Sequence, residues 1–328
     1  MTYRIFGAEL SPYSVKIRSY FRFKNLPHAW LPRSGENAKV YEQFARIPII
    51  PLVVTPDDKG MQDSTPIIEA IEADHPMPAI HPSDPVARFV SVLLEEFGDE
   101  WGNKWMFHYR WARTADQLSA GGRIARSMSG PDDARHEAAV SQILERMTDR
   151  VWFVGSNEQT APQIEASFRA AIDLLEVHFA EHEYLFGERP AFGDFGLWGQ
   201  IYNCWTDPTC GSLIEAGHPH LLRWIHRMLN PVVLGDFKDW TALELTLAPF
   251  VSSQVGDLFM PWTLANESAV QAGNEEFTVT LSTGEWVQKP QKYHAKSLAV
   301  LRQRYAEAES STLAAALEAM GCREGLAG

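Results

Sequence analysis

Four consecutive residues, Ser11-Pro12-Tyr13-Ser14, have the side chains most suggestive of chemistry. They stand where a thiol-redox enzyme would have Cys-Pro-Tyr-Cys, between a predicted strand and a predicted helix. Because neither serine has a sulfur, this loop cannot form a mixed disulfide. A hydroxyl at the start of a helix can instead hydrogen-bond an anion, assisted by the helix dipole and backbone N–H groups. Ser11 is the first candidate donor and Tyr13 and Ser14 are reserves, although capping of the helix would also explain Ser11.

A second polar group precedes a later predicted helix. Asp63 and Ser64 stand directly before a helix expected over residues 66–74. A carboxylate and a hydroxyl at a helix N-terminus can bind the amine and the carboxylate of a ligand. N-capping of the helix by Ser64 explains the serine equally well.

The first 80 residues must position both groups, and their pattern predicts a mixed α/β unit. Residues 3–6 alternate like a half-buried strand, and residues 14–24 favour a mostly buried helix. Further strands are predicted over 28–31, 52–55 and around Met61-Gln62, and further helices over 36–44 and 66–74. The predicted order is βαβ followed by ββα.

The rest of the chain is predicted to be almost wholly helical. Over residues 86–111, apolar residues recur every four positions beside a polar stripe. We interpret this stripe, formed by Glu96, Glu100, Lys104 and His108, as a solvent-facing surface with i,i+4 pairs.

Two further patterns mark the second half of the chain. Thr160 and Gln163 have the spacing of a capping box, and apolar residues at helical spacing follow as far as Phe179. Beyond about residue 240, alternation over residues 277–287 predicts a β-hairpin in helical surroundings. The run from His178 to His182 fits a metalloprotease pattern, but it ends a helix whose dipole suits histidines, so we predict no metal site.

Composition narrows the function classes. A formal net charge of −13 over 328 residues and a pI near 5.3 disfavour nucleic acid as a partner. The N-terminal residues lack a signal-peptide pattern, and no apolar run approaches ~18 residues, so we predict a cytoplasmic protein without a membrane partner. Cys204, Cys210 and Cys322 are expected to be small buried residues.

The order of these motifs resembles the cytosolic glutathione transferases with a serine-type active-site loop. The resemblance is carried by Ser-Pro-Tyr-Ser at the first loop, Ile50-Pro51-Leu52 before the third strand and Gln62-Asp63-Ser64 before the last helix of the unit. In the second half, the segment from Phe186 to Asp194 resembles the one leading into the family's central helix, and residues 219–224 resemble a late helix. Asp194 resembles the family's capping aspartate, although Ala191 replaces the usual Ser or Thr.

The resemblance covers roughly residues 1–240 and implies an α/β thioredoxin-like N-terminal domain plus an all-α glutathione-transferase-type C-terminal domain. It implies three parts: a thioredoxin-like glutathione-binding domain at 1–80, an all-helical domain at 86–240 and a C-terminal extension at 241–328. The extension is expected to contain helices and the hairpin and to pack on the helical domain.

The implied activity is a glutathione transferase that stabilises glutathione thiolate for attack on an apolar electrophile. Ser11 would donate a hydrogen bond to the sulfur. Glutathione, the co-substrate, would be bound by Tyr13, Ser14, Ile50, Pro51, Asp63 and Ser64. A cis proline at 51 would present the Ile50 backbone to the cysteinyl part, with Pro48 a competing candidate. Asp63 would take the γ-glutamyl amine and Ser64 the α-carboxylate.

Other features of such a protein stay open in the sequence. Arg33, Lys39 and Arg46 are all eligible to bind the glycine carboxylate. The helix from Trp101 to Trp111 is the expected wall for the electrophile, unless its aromatics are ordinary core. The family implies a homodimer and a detoxification role. A non-catalytic binding or scaffold protein is the alternative, and a Cys-dependent oxidoreductase is disfavoured.

Overall fold

The computed structural model describes residues 2–129 and 132–327. Its first part has the elements β1 (Tyr3–Phe6), α1 (Pro12–Phe23), β2 (His28–Leu31), α2 (Ala38–Phe44), β3 (Leu52–Val54), β4 (Gly60–Gln62) and α3 (Ser64–Asp74). The strand order is β2-β1-β3-β4, with β1 parallel to β2 and every other pair antiparallel. This is the predicted βαβ-ββα order, and it confirms the thioredoxin-like unit.

The middle of this sheet forms the core of the first part. Ile5 and Phe6 on β1 and Val53 on β3 are fully buried, because both strands have neighbours on each side and helices or loops over each face. Each large apolar side chain removed from water contributes about 1.5–3 kcal/mol. The sheet is therefore a firm base for the loops that follow β1 and precede β3.

The second part is helical, as predicted. Its helices are α4 (Pro85–Phe97), α5 (Asn103–Ala112), α6 (Thr114–Ser129), α7 (Asp133–Thr148), α8 (Ala161–Glu181), α9 (Phe192–Trp205), α10 (Pro208–Gly217) and α11 (Pro219–Arg227). The helix predicted over 86–111 is interrupted by a π-helical turn, Gly98–Gly102, between α4 and α5. The three cysteines are free and buried, as expected.

The capping box predicted before α8 is wrong. Thr160 does precede the helix, but its hydroxyl donates to the carbonyl oxygen of Gly155 rather than accepting from the first turn. The Gln163 side chain donates to the carbonyl oxygen of Glu285 at 2.7 Å. Thr160 therefore holds the loop before α8 and Gln163 holds β6, and the capping spacing is incidental.

The C-terminal extension has the predicted helices and hairpin. Its elements are α12 (Trp240–Phe250), a π-helical segment (Val251–Phe259), α13 (Met260–Ala272), β5 (Phe277–Leu281), β6 (Gly284–Gln288), α14 (Lys292–Ala308) and α15 (Ser311–Ala319). Leu281 pairs with Gly284, so Ser282 and Thr283 form the hairpin loop. Helices α14 and α15 pack against α4, and Arg304 of α14 forms an ion pair with Glu69 of α3. The boundaries at 80, 86 and 240 stay a prediction.

Helix α9 packs tightly against both α4 and α1 through glycines. A Cβ atom at Gly196 would lie 2.8 Å from the Glu95 backbone, and one at Gly199 would lie 2.6 Å from the carbonyl oxygen of Pro12. Real Cβ atoms do not approach backbone atoms so closely, so larger residues would push the helices apart. These glycines set the distance between the loop at Ser11 and the helical part.

Asp194 fixes the start of α9 through three buried hydrogen bonds. Its carboxylate accepts from the backbone N–H of Ala191 at 2.9 Å. This is the half of a capping box that remains when the N-cap residue is alanine. The carboxylate also accepts from the backbone N–H of Leu185 at 3.0 Å and from the indole of Trp224 at 2.9 Å. Asp194 lies away from the cavity described below, so its role is structural.

We expect Asp194→Ala to lower the free energy of unfolding by at least ~2 kcal/mol, because three buried donors lose their acceptor. Urea denaturation measures the change, and Asp149→Ala, at an exposed position, is the control. Turnover per folded molecule should stay the same. Unchanged stability with lost turnover would make Asp194 catalytic.

Candidate functional site

A cavity of about 330 Å³ lies where the first part, the helical part and the extension meet. Five of the residues predicted to bind glutathione line it: Tyr13, Ile50, Pro51, Asp63 and Ser64. They come from three separate segments: the first turn of α1, the loop before β3, and the junction of β4 with α3. The fold therefore brings most of the predicted site residues together.

Ser11 and Ser14 are not among the residues that line this cavity. The Ser11 hydroxyl accepts a hydrogen bond from the Ser14 backbone N–H at 3.3 Å, so Ser11 is the N-cap of α1. The Ser14 side chain is fully buried, and its hydroxyl has no hydrogen-bond partner within residues 2–129 and 132–327. The sulfur-donor role of Ser11 stays a prediction, and capping is the function its geometry shows.

Among residues Ser11 to Ser14, Tyr13 is the one that lines the cavity. It donates to the backbone carbonyl oxygen of Asp99, in the π-helical turn, at 3.0 Å. Burial, with the nearby Asp99 and Tyr293, raises the pKa of the Tyr13 phenol well above its usual value, so the group stays protonated. A protonated phenol can only donate to an anion and cannot act as a base.

The Ile50-Pro51 peptide bond is cis, which confirms that expectation. The preceding carbonyl oxygen, of Ile49, accepts from the Tyr41 hydroxyl at 2.7 Å and from the Gln62 amide at 3.0 Å. These two bonds hold the loop against α2 and β4. Pro48, the competing candidate, is not preceded by a cis bond, and its carbonyl oxygen accepts from Arg33.

The predicted cap of α3 is shifted by one residue. Asp63, with a φ of 75°, occupies the N-cap position, and Ser64 is the first residue of the helix. The Asp63 carboxylate does not cap the helix but accepts from the hydroxyl of Tyr293 at 3.1 Å. The Ser64 hydroxyl accepts from Lys16 at 3.2 Å. The prediction that Ser64 is the N-cap of α3 is therefore wrong. Ligand binding by Asp63 and Ser64 stays a prediction.

Lys16 forms a buried ion network beneath the cavity. Its ammonium donates to Glu95 at 2.5 Å and to Asp99 at 2.6 Å, and also contacts the hydroxyls of Ser64 and Thr65. Burial alone would lower the pKa of Lys16, but the two carboxylates raise it above its usual value. Burial and the neighbouring Glu95 raise the pKa of Asp99 above its usual range, although Lys16 acts to lower it. The network joins α1 and α3 to the end of α4.

The interpretation of the polar stripe as a solvent-facing surface is wrong. Glu100, Lys104 and His108 are only 6%, 1% and 2% exposed. The stripe is covered by the extension: Ser297 of α14 donates to Glu96, and His294 contacts the carboxylate of Glu100. Periodicity shows that these residues share a helix face, but the elements that cover the face lie far along the chain.

Lys104 is a cavity-lining residue that the sequence did not single out. Its amine lies 3.8 Å from the ring centroid of Trp262 and 5.6 and 5.4 Å from those of Trp101 and Trp286. It donates to the carbonyl oxygen of Val154 at 3.1 Å and approaches the Gln288 amide oxygen at 3.4 Å. Burial lowers the pKa of Lys104 well below its usual value.

Tyr293 and His294 are two further cavity residues that sequence reasoning missed. Both begin α14, and the His294 ring meets Trp262 edge to face with centroids 5.0 Å apart. No motif marks these two positions. The one sequence feature that could have indicated them is the predicted β-hairpin just before α14, because a hairpin returns the chain toward the helical part.

Three further sequence expectations have different outcomes. Trp101 and Trp105 are buried core, both donating to the Ser167 hydroxyl at 2.9 Å, so α5 lines the cavity through Asn103 and Lys104.

None of the three cations suggested for the glycine carboxylate lines the cavity, so that role stays a prediction for Arg33, Lys39 and Arg46. In the described part of the chain, no cluster of three metal-ligating side chains is found, and His178 bonds Thr246 and the Leu185 carbonyl.

A four-stranded thioredoxin-like unit followed by a helical part defines the architecture of this protein, and sequence comparison identifies its family. Residues 5–79 match the N-terminal domain of glutathione S-transferases, and residues 134–227 match the C-terminal domain. The chain belongs to the glutathione S-transferase family. A search of curated protein sequences finds no match. Among residues 2–129 and 132–327, no helix is long and apolar enough to cross a membrane.

Solved structures show similar chains at low identity. A glutathione S-transferase from Methylobacterium radiotolerans, in complex with glutathione sulfonate, is 20% identical over 70% of this chain and 90% of that one, with a TM-score of 0.40. The beta-etherase LigF from Sphingobium sp. strain SYK-6 is 18% identical over 70% and 95%, with a TM-score of 0.49. A Tau class transferase from mango is 20% identical over 69% and 87%, with a TM-score of 0.41. The family assignment rests on the two domain matches.

The lowered pKa of Lys104 makes stability depend on pH. Around neutral pH the unfolded chain protonates this lysine more fully than the folded chain does, so the free energy of unfolding rises with pH, by up to ~1.4 kcal/mol per pH unit. We expect Lys104→Met to remove this rise. Urea denaturation between about pH 7 and about pH 9 measures it.

Lys296→Met, at an exposed lysine of α14, is the matched control and should keep the wild-type slope. Parallel stability curves for wild type and Lys104→Met would show that Lys104 is charged in the folded protein.

Proposed function

We propose that the protein is a glutathione transferase that holds glutathione in the cavity and directs its thiolate at an apolar electrophile. The observation that carries the proposal is the convergence of Tyr13, Ile50, Pro51, Asp63 and Ser64 on one cavity. The Ile50 backbone would pair with the cysteinyl part, and Asp63 and the start of α3 would bind the γ-glutamyl group. The family assignment supports the same ligand.

The thiolate needs a donor, because a free thiol with pKa near ~8.5 is mostly protonated at neutral pH. We propose Tyr13 as that donor, with Ser11 second. Tyr13 lines the cavity and stays protonated, and its O–H can rotate from the Asp99 carbonyl toward a sulfur. Ser11 supports the donor by capping α1, whose N-terminal dipole also favours an anion.

A non-catalytic binding protein is the second candidate, and one observation favours it. In the described residues, the Tyr13 hydroxyl donates to Asp99 and the Ser11 hydroxyl accepts the cap bond, so each hydroxyl already has a partner within the protein. Such a protein would bind glutathione or an apolar ligand without lowering the pKa of the thiol. Binding and thiolate measurements together separate the two candidates.

We expect glutathione to bind the wild-type protein and to bind Asp63→Asn ~10-fold more weakly, because one charge-assisted contact with the amine is lost. Calorimetric titration measures both affinities. Asp57→Asn, an exposed aspartate after β3, is the control and should bind like wild type. Absence of heat and of thermal stabilisation with the wild-type protein at millimolar glutathione would refute glutathione binding.

A second prediction concerns the donor. Tyr13→Phe should raise the pKa of the bound thiol and lower turnover ~10- to 100-fold, the effect of losing a donor to a charged group. Ser11→Ala should mainly lower stability, by ~0.5–2 kcal/mol, as for a lost N-cap. The ultraviolet absorbance of thiolate, followed across pH with glutathione bound, reports the pKa of the thiol.

The two variants serve as controls for each other. A thiolate titration that shifts in Ser11→Ala but not in Tyr13→Phe would reverse the assignment and restore Ser11 as the donor. Identical titrations near the pKa of the free thiol in wild type and both variants would favour the binding-protein candidate. Identical titrations at a lowered pKa would leave Ser14 as the last hydroxyl to test.

Three further features remain proposals that only the family supports: a homodimer, a cytoplasmic location and a role in detoxification. Light scattering on the purified protein tests the first. A monomer at micromolar concentration would contradict it.

A further inference from the structure

We propose that the amine of Lys104 condenses with the carbonyl group of α,β-unsaturated aldehydes and ketones, and that glutathione adds to the iminium ion so formed. The proposal names a substrate class for the cavity and rests on the proposed function, because glutathione must occupy the same cavity. It assigns covalent chemistry to a residue outside the loops that bind glutathione.

The position of Lys104 is the first argument. Lys104 lies in the first turn of α5, directly after the π-helical turn, and lines the same cavity as Tyr13 and Pro51. The residue is 1% exposed, so any ligand that reaches its amine must already be inside the cavity. π-Helical turns within helices occur often at functional sites.

The surroundings of the amine are the second argument, and Lys16 provides the comparison. Both lysines are buried, but Lys16 has two carboxylate partners and a raised pKa. Lys104 has no carboxylate within ion-pair distance in the part of the chain that the structure describes, and burial lowers its pKa. A lysine in such a site keeps the lone pair that attacks a carbonyl carbon.

A purely structural role explains Lys104 poorly. Both of its hydrogen-bond acceptors are uncharged: the carbonyl oxygen of Val154 at 3.1 Å and the Gln288 amide oxygen. The Gln288 oxygen already accepts from the indoles of Trp262 at 3.0 Å and Trp286 at 3.1 Å. The contact from Lys104 is longer, at 3.4 Å, and adds little. Burial of an amine without a charged partner destabilises the fold, and an apolar side chain would fill the space without that cost. Such a residue in a cavity is a candidate for function.

The reaction balances without an added cofactor. The amine nitrogen attacks the carbonyl carbon, and the carbinolamine loses water to give an imine, which is protonated to an iminium ion. The positive charge withdraws electrons from the β-carbon, to which the glutathione thiolate adds. The enamine takes a proton at the α-carbon, and water hydrolyses the iminium to the free amine and the thioether carbonyl product.

The cavity suits this cation. Asp99 and Glu100 line it beyond ion-pair distance of the amine, so their carboxylates would offset the positive charge only at longer range. The indole rings of Trp101, Trp262 and Trp286 around the nitrogen favour a cation by their negative faces. Both effects stabilise the iminium more than the neutral aldehyde, which is the requirement for catalysis.

Reductive trapping tests the covalent step. Wild-type protein, Lys104→Met and Lys296→Met are each incubated with cinnamaldehyde and cyanoborohydride, and the reduced adduct is located by peptide mass spectrometry. We expect the fastest labelling at Lys104 in wild type and in Lys296→Met, and its loss in Lys104→Met. Labelling of exposed lysines alone in the wild-type protein would overturn the proposal, and that result does not depend on whether any variant folds.

Turnover separates this proposal from the proposed function. The ratio of glutathione addition to cinnamaldehyde over glutathione substitution on 1-chloro-2,4-dinitrobenzene should fall at least ~10-fold in Lys104→Met, equivalent to ~1.4 kcal/mol at the transition state. An unchanged ratio would overturn the proposal while the transferase function stands. Trapping at Lys104 in a protein that does not bind glutathione would support the amine chemistry and refute the transferase function.

Discussion

The buried ammonium of Lys16 is the interaction on which the site depends. It joins Ser64 of α3 to Glu95 and Asp99 of the helical part, so the two parts meet at one charged centre. Removal of one partner from a buried ion pair lowers the free energy of unfolding by about 3–5 kcal/mol, because the remaining charge stays buried without compensation. The π-helical turn that includes Asp99 is thereby fixed against α1, and its backbone carbonyl meets the Tyr13 hydroxyl.

The C-terminal extension supplies the remaining side of the cavity. Tyr293 reaches across to Asp63, and His294 covers Glu100, so two of the acids around the cavity have partners from α14. The hairpin and α13 supply the indoles around Lys104. The cavity thus has carboxylates toward α3 and, toward α5, one buried amine that has indole rings around it. This polarity fits a peptide-like co-substrate at one side and an uncharged electrophile at the other.

Local patterns in the sequence are sufficient for the fold and for most of the residues that the first part contributes to the cavity. The strand, helix and loop order is enough to bring Pro51, Asp63 and Ser64 to one cavity, because each depends on a neighbouring element of the same unit. The sequence could not tell that Ser11 caps α1 while Tyr13 faces the cavity, since side-chain direction in a loop depends on packing. Nor could periodicity show that Lys104 is buried, because the tryptophans that cover it belong to the distant extension. Long-range contacts therefore account for the errors.

A crystal structure of the protein with glutathione tests the central claim most directly. We predict that the tripeptide fills the cavity, with its cysteinyl backbone paired to Ile50, its γ-glutamyl group at Asp63 and Ser64, and its sulfur within hydrogen-bond distance of the Tyr13 hydroxyl. The side of the cavity around Lys104 should remain open for the electrophile. Glutathione bound elsewhere, or with its sulfur directed away from Tyr13 and from Lys104, would contradict the account.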